Sequence, residues 1–185
     1  IAKTAEKQKK KFAGCEISGK KLGIIGLGAI GQLVANAATH LGMEVYGYDP
    51  YVSVNAAWNL SRDVKHVLNV EDIYSNCDII TIHVPLLDDT KKMLNKEAFA
   101  QMKDGVVIIN TSRGTNVDED ALLAALESGK VRAAGLDVYA EEPAKNHALY
   151  CHPMVSCTPH IGAATVEAQK RIGAEIVDII TNFKA

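Results

Sequence analysis

The sequence predicts an α/β fold in which a doubly wound parallel sheet is covered by helices on both faces. Short runs that are apolar throughout recur from Lys20 onward, as in strands that are buried on both sides. Segments with helical patterning separate these runs, which is typical of a parallel sheet. The 185 residues are 48% hydrophobic, enough apolar material for the core of one such domain.

The predicted strands are short apolar runs, each closed by a turn or a polar residue. They cover residues 21–26, 44–48, 66–68, 78–83, 105–110, 131–137 and 154–157. The first reads KLGIIG, and Val84-Pro85 closes the run DIITIH. Because ligands of parallel sheets bind outside the carboxyl ends of the strands, the residues just after each strand are the ones to inspect.

Helices are predicted between the strands, where apolar residues recur at helical spacing. Three of them cover residues 29–41, 70–76 and 95–102. A fourth is capped by Asp118 and ended by Gly129. Thr165 opens a long closing helix, for which we expect a buried stripe formed by Ile172, Ile176, Ile179 and Ile180.

Charge and composition exclude several classes of partner. The net charge is −2, although residues 1–21 hold seven lysines against two glutamates. This basic segment is short and poor in aromatic residues and Arg, so a solvated connector is favoured over a nucleic-acid arm. No apolar run approaches the ~20 residues that span a bilayer, and the polar start is unlike a secretory leader. We therefore expect no nucleic-acid partner and no membrane partner.

The cysteines and the first residue also inform the prediction. The four cysteines show neither a CxxC pair nor zinc spacing, so we expect free thiols, no metal site and a cytoplasmic protein. The chain begins with Ile1 and not Met, which indicates a part of a longer polypeptide.

A glycine-rich turn follows the first strand. Residues 26–31 read GLGAIG, matching G-x-G-x-x-G between a strand and a helix, the context in which the motif binds dinucleotides. Gly26 permits the turn, Gly28 lets the backbone approach a pyrophosphate, and Gly31 lets helix pack on strand. We expect the amides of Ala29 and Ile30, at the start of the helix, to face the phosphate charge.

Asp49 ends the second strand, 18 residues after Gly31. A carboxylate there can bond both ribose hydroxyls and would repel a 2′-phosphate, so NAD is favoured over NADP. The alternative for Asp49-Pro50 is a turn that only ends the strand. Together with the glycine motif, the position of Asp49 predicts a Rossmann-type domain with NAD as cofactor.

Four further side chains follow later strands. Arg113 can hold a carboxylate bidentately, or form a surface ion pair. Asp137 could accept a hydrogen bond from a nicotinamide carboxamide. Glu142 lies in a loop, where simple solvation is the alternative, and His160 follows the last strand between Pro159 and Ile161. His83 also ends a strand, but the apolar residues after it suggest a wall for a flat ring.

Three of these groups make chemical sense together. A 2-hydroxy acid that loses hydride to NAD must also lose its hydroxyl proton, which the imidazole of His160 can take and return. The carboxylate of Glu142 would orient the ring and favour imidazolium. Arg113 would hold the substrate carboxylate, and no metal is needed.

These residues occur in motifs that resemble the NAD-binding domain of the D-isomer-specific 2-hydroxyacid dehydrogenases. The motifs, in the family's order and spacing, are residues 19–28, 110–114, 135–139, 142–143 and 158–162. The resemblance implies that Arg113 binds substrate and that His160 is the acid–base paired with Glu142. It also implies that NAD is lined by Ala29, Ile30, Asp49, Val84, Thr111, Ser112, Asp137, Gly162 and Ala163. In two departures, Ala29 stands where many relatives carry Arg, and Thr115-Asn116 replaces a commonly more apolar pair.

Within the family, residues 156–165 and the following Glu167-Ala168-Gln169 most resemble the members that oxidise 3-phospho-D-glycerate in serine biosynthesis. Glyoxylate/hydroxypyruvate reductase and D-lactate dehydrogenase are alternatives with the same chemistry, and an NAD-sensing, corepressor-like binding protein is an alternative of another class. Family members have a second, substrate-binding domain. The resemblance therefore implies a connecting segment over residues 1–18, the NAD-binding domain over 19–164, and a closing helix over 165–185 that leads back toward the missing domain. It also implies a homodimer formed through this domain and a small 2-hydroxy or 2-oxo acid as substrate.

Overall fold

Seven parallel strands form one sheet. The computed structural model describes Lys7 and residues 13–183, so most of the predicted connecting segment lies outside the described residues. The strands are β1 (Lys21–Ile25), β2 (Glu44–Tyr48), β3 (Lys65–His66), β4 (Ile79–Ile82), β5 (Val106–Asn110), β6 (Val131–Leu136) and β7 (Val155–Cys157). Their order across the sheet is β3-β2-β1-β4-β5-β6-β7. The chain thus winds outward in both directions from β1, which confirms the predicted doubly wound sheet.

Helices connect the strands. They are α1 (Ala29–His40), α2 (Val54–Asn59), α3 (Val70–Asn76), α4 (Lys96–Gln101), α5 (Glu119–Glu127), α6 (His147–Tyr150) and α7 (Val166–Asn182), and a 3₁₀ turn covers Gly114–Asn116. Helices α2 and α6, of six and four residues, lie where the sequence predicted none. Strand β3 is earlier and shorter than predicted, since Leu68 is exposed and lies beyond its pairing with β2.

The core lies on both faces of the sheet. Leu22 and Ile24 join a cluster with residues of α1, whereas Ile25 joins a larger cluster with residues of α3, α4 and α5. Successive side chains of a strand point to opposite faces. The two clusters therefore occupy opposite sides of β1, as expected for a sheet covered on both faces.

The closing helix α7 forms where predicted, but its predicted buried stripe is wrong. Thr165 caps it, since the Thr165 hydroxyl oxygen accepts a hydrogen bond from the Ala168 amide at 3.1 Å. No residue of α7 is buried, and Ile176 and Ile180 are 51% and 69% exposed. The spacing of apolar residues predicts that a helix has an apolar face. It does not predict that other residues of the same chain pack against that face. Among the described residues, no helix is both long and apolar enough to cross a bilayer.

Candidate active site

The register of the sheet aligns the carboxyl ends of six strands. At these ends, one residue of each strand is paired with its counterpart in the neighbouring strand: Tyr48, Ile25, Ile82, Asn110, Leu136 and Cys157. The next residue of each strand therefore lies on one edge of the sheet. Asp49, Gly26 and Asp137, all predicted site residues, are among them.

The glycine turn has the geometry that its motif predicts. Gly26 has a φ of 97°, and a Cβ there would lie 2.7 Å from the His83 carbonyl oxygen. A Cβ at Gly31 would lie 2.0 Å from the carbonyl oxygen of Gly26. A Cβ at Gly28 would meet no protein atom within 4 Å. The first and third glycines are thus required by the protein's own backbone, whereas the space at Gly28 is left open for a ligand.

Asp49 ties the end of β2 to the glycine turn. Its Oδ2 accepts a hydrogen bond from the Leu27 amide at 2.8 Å, and its Oδ1 accepts one from the Tyr51 amide at 2.8 Å. Asp49, Gly26, Gly28 and Val84 line a cavity of about 720 Å³, within the range of small-molecule and cofactor sites. The open position at Gly28 and the carboxylate on the cavity wall fit a dinucleotide with a free ribose 2′-hydroxyl.

We expect Asp49→Asn to relax the preference for NADH over NADPH. The amide keeps nearly the same shape and one of the two backbone hydrogen bonds. It removes the charge that would repel a 2′-phosphate, an effect on the order of 1–4 kcal/mol at close range, whereas the lost hydrogen bond would weaken both cofactors alike. Calorimetry on this chain should show the ratio of the NADPH and NADH dissociation constants falling by about tenfold or more. Asp63→Asn, at an exposed loop residue, is the control, and an unchanged ratio in Asp49→Asn would refute the ribose assignment.

His83 lies beside the same cavity as a neutral ring. Its Nε2 lies 3.0 Å from the Thr81 hydroxyl oxygen, and burial lowers the pKa of its imidazole. A neutral ring that lines the cavity is compatible with the expectation that this segment forms a wall against a flat ring of the ligand.

The turn after β5 presents Arg113. The Arg113 guanidinium is exposed and donates a hydrogen bond to the Ser112 carbonyl oxygen at 2.6 Å. Within the described part of the chain it forms no ion pair with a carboxylate, so the surface ion pair considered above is not observed. The next residue must be glycine, because a Cβ at Gly114 would lie 1.9 Å from the carbonyl carbon of Tyr139. This close approach packs the Arg113 turn against the segment that leads to Glu142.

Buried polar side chains shape this turn from within. The Asn110 amide donates to the Arg113 carbonyl oxygen at 2.9 Å, and its Oδ1 accepts from the Ser112 hydroxyl at 2.9 Å. The Asn116 amide donates to the Val84 carbonyl oxygen at 3.1 Å, which joins the turn to the cavity wall. The predicted cofactor residue Ser112 is therefore buried with its hydroxyl engaged inside the turn, while Thr111 is exposed.

Asp137 organises the turn that carries His160. Its Oδ1 accepts from the Thr158 hydroxyl at 2.6 Å and from the Ile161 amide at 2.8 Å, and its Oδ2 accepts from the Gly162 amide at 2.9 Å. Burial alone would raise the pKa of this carboxyl, but these hydrogen bonds hold the pKa of Asp137 below its usual range. Asp137 thus anchors the turn, a contribution beyond the nicotinamide contact that its position suggested.

Glu142 and His160 form a pair. Nδ1 of His160 lies 3.0 Å from both carboxylate oxygens of Glu142. The hydrogen bond from the imidazole lowers the pKa of Glu142, so the carboxylate is ionised at neutral pH. The side chains are 49% and 45% exposed, which leaves Nε2 of His160 as the ring nitrogen available to a substrate. The structure thus brings together the two side chains that the sequence predicted to act as acid–base and as orienting carboxylate.

The remaining predicted cofactor residues lie around this edge. Ala29 and Ile30 open α1 and are exposed, outside the lining of the 720 Å³ cavity. Gly162 and Ala163 are exposed at the turn that carries His160. Sequence reasoning missed Asn110 and Thr158 as organisers of the turns. Their signal was available, since each is a polar residue at or just after the end of a strand. Among the described residues, no cluster of His, Cys, Asp and Glu is arranged to hold a metal ion.

A nucleotide-binding turn on a doubly wound sheet, with Arg, Glu and His at the carboxyl edge, defines a dehydrogenase-type domain. A family profile described as D-isomer specific 2-hydroxyacid dehydrogenase, NAD binding domain, matches residues 2–162, and the chain belongs to this family. It is 48% identical over 171 residues to human D-3-phosphoglycerate dehydrogenase and 44% identical over 169 residues to the enzyme of Mycobacterium bovis. These matches cover 91% of this chain but only 31% of each relative.

Solved structures agree with this assignment. A glyoxylate reductase from Paecilomyes thermophila matches with a TM-score of 0.84 at 34% identity, over 96% of this chain and 54% of that one. A D-lactate dehydrogenase from Aquifex aeolicus, solved with NAD and lactic acid, matches with a TM-score of 0.81 at 32% identity, over 97% of this chain and 60% of that one. The chain therefore has the fold of the NAD-binding part of such enzymes.

Proposed function

We propose that this chain is the cofactor-binding and catalytic part of an NAD-dependent dehydrogenase that oxidises 3-phospho-D-glycerate to its 2-oxo acid, the first step of serine biosynthesis. The observation that carries the reaction class is the Glu142–His160 pair, at 3.0 Å on the carboxyl edge of the sheet. The substrate is supported by the 48% identity to human D-3-phosphoglycerate dehydrogenase.

The chemistry follows from the positions of the side chains. The glycine turn and Asp49 would hold NAD, which when bound supplies the acceptor for the hydride from C2 of the substrate. Arg113, free of any observed carboxylate partner among the described residues, binds the substrate carboxylate through two parallel hydrogen bonds.

His160 removes the hydroxyl proton through Nε2, because its Nδ1 is held by Glu142. The negative charge of Glu142 stabilises the imidazolium that forms. In the reverse direction the same nitrogen returns the proton to the carbonyl oxygen.

The test is turnover of the full-length protein with a panel of acids. We expect the highest kcat/KM with 3-phospho-D-glycerate and NAD, ahead of D-lactate and D-glycerate, and ahead of glyoxylate and hydroxypyruvate assayed with NADH. A higher kcat/KM for one of the other acids would reassign the substrate within the same chemistry. NADH binding without turnover of any acid would overturn the enzyme proposal and favour an NAD-sensing protein.

We also propose that α7 leads into a second, substrate-binding domain and that the NAD-binding domains form a homodimer. The uncovered apolar face of α7 and the 31% coverage of the relatives support the first proposal.

The homodimer is supported by two exposed apolar side chains. Leu33 of α1 and Trp58 of α2, on two helices in contact, are 71% and 82% exposed, as expected for an interface. Sedimentation of the full-length protein should give twice the monomer mass, and a monomer at micromolar concentration would contradict the dimer.

A further inference from the structure

Tyr139 lies between the two loops that carry Glu142 and His160. Its hydroxyl donates a hydrogen bond to the Thr158 carbonyl oxygen at 2.6 Å. The same carbonyl oxygen accepts the His160 amide at 3.0 Å. Thr158 is therefore a junction at which the tyrosine and the backbone of His160 meet.

The backbone of His160 needs such support. Its φ is 54°, a left-handed conformation that is unfavourable for a non-glycine residue and persists where the surrounding structure enforces it. The Asp137 carboxylate holds the far side of the turn through the amides of Ile161 and Gly162. The near side is held at Thr158, whose carbonyl oxygen accepts from Tyr139 and whose hydroxyl donates to Asp137.

The ring of Tyr139 is itself fixed by a chain of contacts from α5. The rings of Tyr139 and Tyr150 meet edge to face, with centroids 4.8 Å apart and an interplanar angle of 81°. The Tyr150 hydroxyl donates to Oε1 of Glu119 at 2.6 Å, and the same oxygen accepts the Ala140 amide at 2.8 Å. The helix start, the loop that leads to Glu142 and the Tyr139 ring are thus held as one unit.

The Tyr139 hydroxyl keeps its proton over the whole neutral range. Burial, followed by the neighbouring Cys157 thiol, raises the pKa of Tyr139 to about 12. The hydroxyl therefore remains able to donate a hydrogen bond to the Thr158 carbonyl oxygen throughout the neutral range.

We propose that Tyr139 is a positioning residue for His160. Its hydroxyl fixes the turn that carries His160 relative to the loop that carries Glu142. Its effect on turnover rests on the proposed function, whereas its effect on the turn does not. Phenylalanine at this position keeps the ring and its contact with Tyr150 and removes only the hydroxyl, so the proposal is tested by Tyr139→Phe. Tyr46→Phe is the matched control, because the Tyr46 hydroxyl interacts with Lys65 at the far side of the sheet.

The first measurement is amide hydrogen exchange on this chain without substrate. In Tyr139→Phe we expect the amides of His160, Ile161 and Gly162 to exchange about fivefold faster or more, as after loss of one hydrogen bond, while those of β4 and β5 are unchanged. Unchanged exchange in the turn would overturn the proposal, and so would faster exchange throughout the sheet, which would show a general loss of stability. This measurement decides the positioning role even if the full-length protein oxidises no 2-hydroxy acid.

The second measurement is kcat of the full-length protein per NADH-binding site. Tyr139→Phe should lower kcat about fivefold to tenfold, with the dissociation constant for NADH and the KM for the acid within twofold of wild type. Normalising to bound NADH removes the contribution of unfolded protein. Wild-type kcat in Tyr139→Phe would overturn the proposal, and Tyr46→Phe should match wild type in both measurements.

Discussion

Replacing His160 with alanine in the full-length protein is expected to lower kcat by about 10²- to 10⁴-fold, the usual contribution of a general acid–base. The imidazole is the group on the carboxyl edge that is paired with a carboxylate at 3.0 Å and still presents a free nitrogen. Alanine removes the proton acceptor and leaves the glycine turn untouched. The dissociation constant for NADH should therefore stay within twofold of wild type.

Steady-state kinetics and calorimetry on the same preparation separate these two effects. His66→Ala is the control, since His66 is an exposed residue of β3 at the opposite side of the sheet. A kcat within threefold of wild type in His160→Ala would remove His160 from its assigned role. A large loss of NADH binding would instead show that the turn around His160 supports the cofactor site.

Gly31→Ala is expected to destabilise the chain strongly. The new Cβ would lie 2.0 Å from the Gly26 carbonyl oxygen, and neither backbone segment can move without disturbing the start of α1 or the end of β1. We expect a loss of about 3 kcal/mol in the free energy of unfolding. Thermal unfolding should show a Tm lower by about 6–12 °C, and NADH binding should be lost.

Substitutions at two other glycines serve as controls for this result. At Gly173, inside α7, a Cβ would meet no side chain or other segment within 4 Å, so Gly173→Ala should be neutral or stabilise the chain by up to about 1 kcal/mol. Gly28→Ala also meets no protein atom, so its Tm should stay near wild type while the affinity for NADH falls about tenfold or more. Wild-type NADH affinity in Gly28→Ala would contradict the placement of the pyrophosphate, and a wild-type Tm in Gly31→Ala would contradict the packing of α1 on β1.

The site was predictable wherever it depends on order along the chain. Because all strands are parallel, the residues that follow the strands fall near one edge, and this rule selected Asp49, Arg113 and His160 as candidates from their positions and residue types. It could not show that Asp137 already binds three donors of the His160 turn. Those contacts join residues 21 to 25 positions apart in the chain, and no local pattern records them.

The closing helix likewise shows which properties local patterns predict and which they do not. Local patterning correctly predicted the helix that Thr165 opens, because capping and helical spacing act within a few residues. Whether Ile176 and Ile180 are covered depends on what lies opposite them, which a periodic pattern does not contain. The same limit applies to Gly114 and Gly31, whose need for glycine comes from backbone segments that approach them in the fold.

The sequence by itself determined the class of fold and the dinucleotide turn, and it proposed Arg113, Glu142 and His160 as the residues of the site. Each of these follows from local chemistry and from the shared direction of parallel strands. Only the tertiary structure decided which nitrogen of His160 is free and how the turns are braced through Asp137 and Tyr139. It also decided that α7 is left uncovered. These properties depend on distances between segments far apart in the chain, and such distances exist only once the sheet has assembled.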